Sequence, residues 1–211
     1  MLAEKYRPRT FDEIIGQDRI VRTMQWYLDS ENTSGHCFLV TGPSGSGKTA
    51  LGQCAARYWG IDDFDIQKIQ SATCTAERLE DLASSAFVYG RGTVGRKCYL
   101  IDEIHTITGR AKDRLLSMLE DLPAHVLIVG TTTESDWTDG TLFSRFVRFD
   151  VAKVKADAVA RHLEQIADAE RLPIPPDPKW ADKFVKYAPV GLNVRDLINQ
   201  LPKHLLFAEA A

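Results

Sequence analysis

"GPSGSGKT", residues 42–49, decides the fold of this 211-residue chain. Glycines at that spacing let successive backbone N–H groups wrap a phosphate at the start of a helix; the lysine then reaches the outer phosphates and the closing hydroxyl ligates a divalent cation. Read this way, Gly42, Pro43, Ser44, Gly45, Ser46, Gly47 and the following Ala50 form the cradle, Lys48 faces the β- and γ-phosphates, and Thr49 is a Mg²⁺ ligand. A Gly/Ser-rich loop can match such a pattern by chance, so its flanks matter. The apolar run "HCFLVTG" (36–42) precedes it and reads as a buried strand, and a helix follows, with Leu51, Cys54, Ala55 and Tyr58 at helical spacing and Gly60 as the stop. Strand, loop and helix in that order are the context the motif requires.

Working outward, four further strands are expected: "DFDIQKI" (63–69), "KCYLIDEIH" (97–105), "HVLIVGTTT" (125–133) and "FVRFDV" (146–151). Between them lie helices at 75–90, opened by a capping Thr75 and carrying Leu79, Leu82, Ala83 and Ala86 on one face, and at 111–123, stopped by Pro123. Near-continuous apolar strands alternating with helices imply a five-stranded parallel sheet covered on both faces, an α/β architecture. After Lys153 the pattern is helical only: 156–172, 178–188 and 192–210, the last interrupted at Pro202, with the rigid "PIPPDP" (173–178) between the first two. The expected organisation is a nucleotide-binding α/β domain over 1–152 and a small helical lid over 153–211.

Composition narrows the class. Hydrophobic residues at 44% and charged residues at 26% are ordinary globular usage, which argues against disorder. A net charge of −3 argues against a bulk polyanion binder, leaving local basic patches. The N-terminus "MLAEKYRPRTFDE" has no apolar core of a signal peptide and no stretch is long enough to span a bilayer, so no membrane association is expected and the cytoplasm is the default. Cys37, Cys54, Cys74 and Cys98 are scattered singly, without the pairing of a disulfide framework or zinc site.

The chemistry gathers where strands end. In "CYLIDEIH" Asp102 is placed to hold Mg²⁺ through its water shell, and the adjacent Glu103 to polarise an attacking water, since neighbouring side chains at a strand end point differently. "VGTTT" ends another strand in hydroxyls, and Thr132 could bond the γ-phosphate or the water. Arg145 in "GTLFSRFVRFD" (140–150) and Arg195 are cations of the kind that neutralise charge during phosphoryl transfer, although an arginine taken singly is more often a surface ion pair.

"EKYRPRTFDEIIGQDRIVRTM", "GPSGSGKT", "YLIDEIHTI", "LLSMLEDLPAHVLIVGTTT", "LFSRF" and "GLNVRDLI" together, in order and spacing from about residue 3 to 201, resemble the ATPase subunits of sliding-clamp loaders, of the AAA+ class. The likeness is to the bacterial tau/gamma subunit and the small subunits of replication factor C. It implies that Tyr6, Arg7 and Pro8 with Ile15 and Gly16 line the adenine pocket, that Lys48 and Thr49 are the Walker A pair, and that Asp102 and Glu103 are the Walker B acids. Thr132 matches the γ-phosphate sensor on the strand, with Thr131 and Thr133 leaving the choice open by one residue, and Arg195 matches the lid arginine. "LFSRF" is similar to the Ser-Arg-Cys motif, with Phe146 in place of the cysteine; its arginine reaches a neighbour's ATP site, so Arg145 implies an oligomer of AAA+ subunits, homomeric or heteromeric.

The resemblance further implies ATP and Mg²⁺ as cofactors, and primer-template DNA and a sliding clamp as partners. Arg91, Arg96, Lys97, Arg110, Lys112 and Arg114 are candidate phosphate contacts, against the plainer reading of a solvated face. Relatives continue into a helical collar after the third lid helix, and this sequence stops there. Alternatives are a helicase loader or other AAA+ DNA-remodelling ATPase, a nucleotide-bound scaffold that does not hydrolyse, and, from the phosphate loop alone, a small-molecule kinase.

Overall fold

The computed structural model describes residues 1–30, 35–134, 140–189 and 193–208. Five strands, β1 (His36–Thr41), β2 (Ile66–Gln70), β3 (Lys97–Asp102), β4 (Val126–Thr132) and β5 (Val147–Asp150), form one sheet in the order β2-β3-β4-β1-β5. Every pairing is parallel, with Ile66 opposite Cys98, Lys97 opposite Val126, His36 opposite Leu127 and Phe38 opposite Val147. That register brings Thr41, Asp102 and Thr132 to one edge, the carboxyl ends of the three central strands, where ligands of open α/β sheets bind.

Strand side chains alternate between two cores. Phe38, Val40, Leu100, Leu127 and Val129 pack with Met24 and Leu28 of α2 (Asp18–Asp29) and with α3 (Lys48–Tyr58) on one face. Leu39, Tyr99, Ile101 and Ile128 pack with Leu79 and Leu82 of α4 (Ala76–Ala86) and Leu115 and Met118 of α5 (Gly109–Glu120) on the other. Helices on both faces remove the sheet's apolar runs from water, which is what a parallel sheet requires. Gly52 lets α3 lie close to the sheet, because a Cβ there would stand 2.9 Å from both Leu100 and Val129.

Several expectations shift in detail. β2 starts three residues late, because Asp63–Asp65 forms a 3₁₀ turn whose Asp65 carboxylate accepts from the N–H groups of Arg91 and Gly92. Thr75 does cap α4, accepting from Arg78 N–H at 3.2 Å, but the helix ends at Ala86 and leaves Phe87, Val88 and Tyr89 exposed. Tyr58, placed by periodicity on the buried face of α3, is exposed and donates its hydroxyl to Asp29. Two further short helices are α1 (Leu2–Lys5) and α6 (Gly140–Phe143), the latter placing Leu142 in the second of these cores.

After the sheet come three helices that share a core at the expected lid position, α7 (Ala156–Ala169), α8 (Trp180–Tyr187) and α9 (Val194–Ala208). α9 runs unbroken through Pro202 instead of stopping there; the expected flanks Leu192, Glu209 and Ala210 lie outside the described residues. Leu163, Ile166, Trp180, Phe184, Ile198 and Leu201 form that core, and Leu2, Ala3 and Tyr6 pack against it. Ala3 N–H donates to Asn199 at 3.0 Å, so the N-terminal segment rests on the lid although sequence order puts it with the sheet.

Candidate active site

Between the sheet edge and the lid lies a cavity of about 430 Å³, within the size range of small-molecule sites. Its floor is the loop between β1 and α3. Gly45 and Gly47 adopt positive φ, +71° and +89°, the left-handed turns that aim consecutive N–H groups at one point. Ser46 Oγ is buried there with no hydrogen-bond partner, and Lys48, a buried residue, donates its ammonium to the carbonyls of Gly42 at 2.9 Å and Pro43 at 3.0 Å. Burial pushes the Lys48 pKa down, partly offset by Glu103 and Asp102. An orphaned hydroxyl, a buried lysine and a left-handed glycine loop leading into a helix fit a polyphosphate.

Asp102 closes one side. Its Oδ1 accepts from the hydroxyls of Thr49 and Thr131, each at 2.9 Å, so the expected cation ligands Thr49 and Asp102 are in contact. Among the described residues no group of three or more His, Cys, Asp or Glu could hold a metal alone. A Mg²⁺ ion held by Thr49 and Asp102 would have to take its remaining ligands from phosphate and water.

Glu103 follows with φ +52°, a conformation a residue with a side chain holds only where its surroundings enforce it. Ser71 Oγ and Thr106 Oγ1 donate to its backbone carbonyl, and its carboxylate Oε2 accepts from Thr133 N–H and Thr133 Oγ1 at 3.0 Å each. Glu103 lines the cavity with Asp102, Lys48, Thr49 and Ala50. Thr131 lines it also; Thr132 does not. Thr132 is fully buried and its hydroxyl lies 2.8 Å from His105 Nδ1. The strand's alternation turns Thr131 toward Asp102 and Thr132 away, so Thr131 is the hydroxyl that faces the cavity.

Tyr6, Arg7, Pro8 and Ile15 line the other end of the cavity; Gly16, packed against Val154, stands behind that wall. Tyr6 donates its hydroxyl to Glu170 at 2.6 Å, which holds its pKa above the ordinary value. His162 of α7, which sequence reasoning missed, faces the same recess, its pKa lowered by burial. Its only signal was an otherwise unremarkable place on an amphipathic helix. The lid covers the loop through α9: Arg195 lines the cavity, and the Asn193 amide sits so close to Gly45 that a Cβ there would lie 2.2 Å from it. Asn193 caps α9 reciprocally with Asp196. Gly191, quoted in the lid motif, lies outside the described residues.

Arg145 is not in this cavity. Leu142 and Phe146 are buried on either side of it and pin the segment, which leaves the guanidinium exposed and paired with Glu120 at 2.5 Å. Of the basic residues considered for phosphate contact, two serve the fold: Arg96 donates to Trp59 O at 2.7 Å and stacks over its ring, and Lys97 donates to Ser85 O. Arg110 is exposed, and Arg114 lies 3.8 Å from Glu80.

A glycine-rich phosphate loop, a strand-end acid pair and a helical lid around one cavity define a nucleoside-triphosphate-binding ATPase. The model of the ATPase family associated with various cellular activities (AAA) matches residues 38–153, and the chain belongs to that family. It is similar to DNA polymerase III subunit tau of Bacillus subtilis (strain 168), 28% identical over 191 residues, covering 80% of this chain and 34% of that one. It is similar also to the replication factor C small subunit of Halobacterium salinarum, 28% over 176 residues, covering 80% of this chain and 53% of that one. The chain thus spans less than two thirds of either relative. The solved Thermotoga maritima RuvB Holliday junction branch migration motor superposes with a TM-score of 0.79 at 22% identity, covering 98% of this chain and 68% of that chain, a likeness of fold. No helix among the described residues is long and apolar enough to cross a membrane.

Proposed function

We propose that this chain is a cytoplasmic ATPase subunit of the clamp-loader type, which binds ATP and Mg²⁺ at subunit interfaces and acts on a sliding clamp and primed DNA. Residues 1–152 serve as the nucleotide-binding domain and 153–211 as the lid. The observation that carries the reading is the division of the machinery: Lys48, Thr49, Asp102, Glu103 and Arg195 surround one cavity, while Arg145 stands on the outside. The sequence likeness to tau and replication factor C small subunits supports the same assignment.

Lys48 exchanges the carbonyls of Gly42 and Pro43 for phosphate oxygens, whose negative charge offsets its desolvation. Thr49 and Asp102 would hold the cation, which would supply charge neutralisation at the phosphates. Glu103 draws a proton from the attacking water, and one hydroxyl of the Thr131–Thr132 pair marks the γ-phosphate. Arg195 approaches from the lid. Arg145 leaves Glu120 for a neighbour's γ-phosphate; an exposed ion pair of this kind is worth no more than about 1 kcal/mol, so the exchange is easy.

The test is the steady-state ATPase rate against protein concentration, with and without primed DNA. A rate that rises faster than linearly, is stimulated by DNA and is lost in Arg145→Ala is expected. A rate strictly linear in protein and indifferent to Arg145 contradicts the interfacial site.

A further inference from the structure

His105 stands in the 3₁₀ turn Ile104–Thr106, two residues beyond Glu103, with its ring mostly buried among three polar groups. Nδ1 lies 2.8 Å from Thr132 Oγ1 and 3.4 Å from Glu103 Oε2, and Nε2 lies 3.4 Å from Glu134 Oε1. Thr132 Oγ1 also accepts from Glu134 N–H at 3.1 Å. The Glu103 carboxylate oxygen that lies 3.4 Å from Nδ1 is held in place by Thr133 N–H and Thr133 Oγ1 at 3.0 Å each.

We infer that His105 is a positioning residue for hydrolysis, coupling the Thr132 hydroxyl of β4 to the Glu103 carboxylate. It holds the hydroxyl of Thr132, which the strand turns from the cavity, and stands 3.4 Å from the Glu103 carboxylate that Thr133 also holds. Neither group rearranges toward a bound γ-phosphate without disturbing the same ring nitrogen, so sensing and base placement move together. His105 touches neither nucleotide nor water in this account. The inference rests on the reading of Glu103 as the base.

The experiment compares His105→Asn with His105→Gln. An Asn amide reaches the place of Nδ1, and a Gln amide overshoots it toward that of Nε2. ATP affinity within about 2-fold of wild type is expected in both, with kcat kept within about 3-fold by Asn and lowered about 10-fold or more by Gln, the pattern of an interaction that matters only in the transition state. Thr132→Val approaches the pair from its other end: added to His105→Gln it lowers kcat no further, because coupled residues are not additive. Equal kcat for Asn and Gln, a loss of ATP affinity that parallels the loss of kcat, or multiplicative losses in the double variant overturn the coupling. Glu103→Gln in parallel separates the two readings. Inactive Glu103→Gln beside fully active His105→Gln overturns the coupling alone; active Glu103→Gln overturns the base assignment and the coupling with it.

Discussion

Replacing Gly45 by alanine tests the contact between phosphate loop and lid. At φ +71° an added Cβ carries the left-handed cost of an L-residue, about 1–2 kcal/mol. The same Cβ would lie 2.2 Å from Asn193 Cγ and 2.4 Å from Asn193 Nδ2, so the asparagine must leave. Its Oδ1 accepts from Asp196 N–H at 3.1 Å at the start of α9, and loss of such a cap costs about 1 kcal/mol. Gly45→Ala therefore destabilises the unliganded protein by about 2–3 kcal/mol. Gly47→Ala is the internal control: at φ +89° it meets nothing within 4 Å and carries the backbone cost alone, about 1–2 kcal/mol. Urea unfolding without nucleotide measures both. In an Asn193→Ala background, where the cap is already gone, the difference of about 1 kcal/mol between the two glycine variants disappears. Equal costs at Gly45 and Gly47 in the wild-type background, or a difference that survives Asn193→Ala, would refute the reasoning.

Two further outcomes concern the charged groups. Lys48 has a folded pKa below 10.5, so the unfolded chain binds more protons between that lowered value and 10.5, and stability contributed at this site rises with pH across the window. Wild type should gain stability relative to Lys48→Met as pH climbs through it, read from urea midpoints of both proteins at each pH; a difference that stays flat contradicts the burial argument. Glu103→Gln keeps the side chain's shape and removes the base, so filter binding should recover intact ATP from the variant after wild type has turned its ATP over, with kcat lower by roughly 100-fold or more.

Much of this architecture was legible because its signals are local. The apolar runs of β1, β3 and β4, the glycines before Lys48 and the Thr75 cap each declare themselves within a few residues. α2 was equally legible in principle, since Met24 and Leu28 stand four apart on its buried face, yet no helix was read there. What stayed hidden depends on distant partners. Asp65 bends the chain ahead of β2 for two N–H groups 26 and 27 residues away, and Ala3 finds Asn199 across 196. Arg96 and Lys97 look like surface cations until Trp59 O and Ser85 O are beside them. Within the site, three consecutive threonines are indistinguishable as letters. Only the strand's alternation, joined to Asp102 on one side and His105 on the other, separates Thr131 from Thr132.

The claim at the centre is that Glu103 of one subunit and Arg145 of another complete a single site. Mixing two inactive variants, Glu103→Gln and Arg145→Ala, tests it most directly. The Arg145→Ala subunit offers an intact Glu103 and the Glu103→Gln subunit an intact Arg145, so the mixture should recover ATPase activity that neither has alone, in proportion to the mixed interfaces formed. If the mixture stays as inactive as its components while both variants still associate with wild type, Arg145 does not act across subunits and the account is wrong.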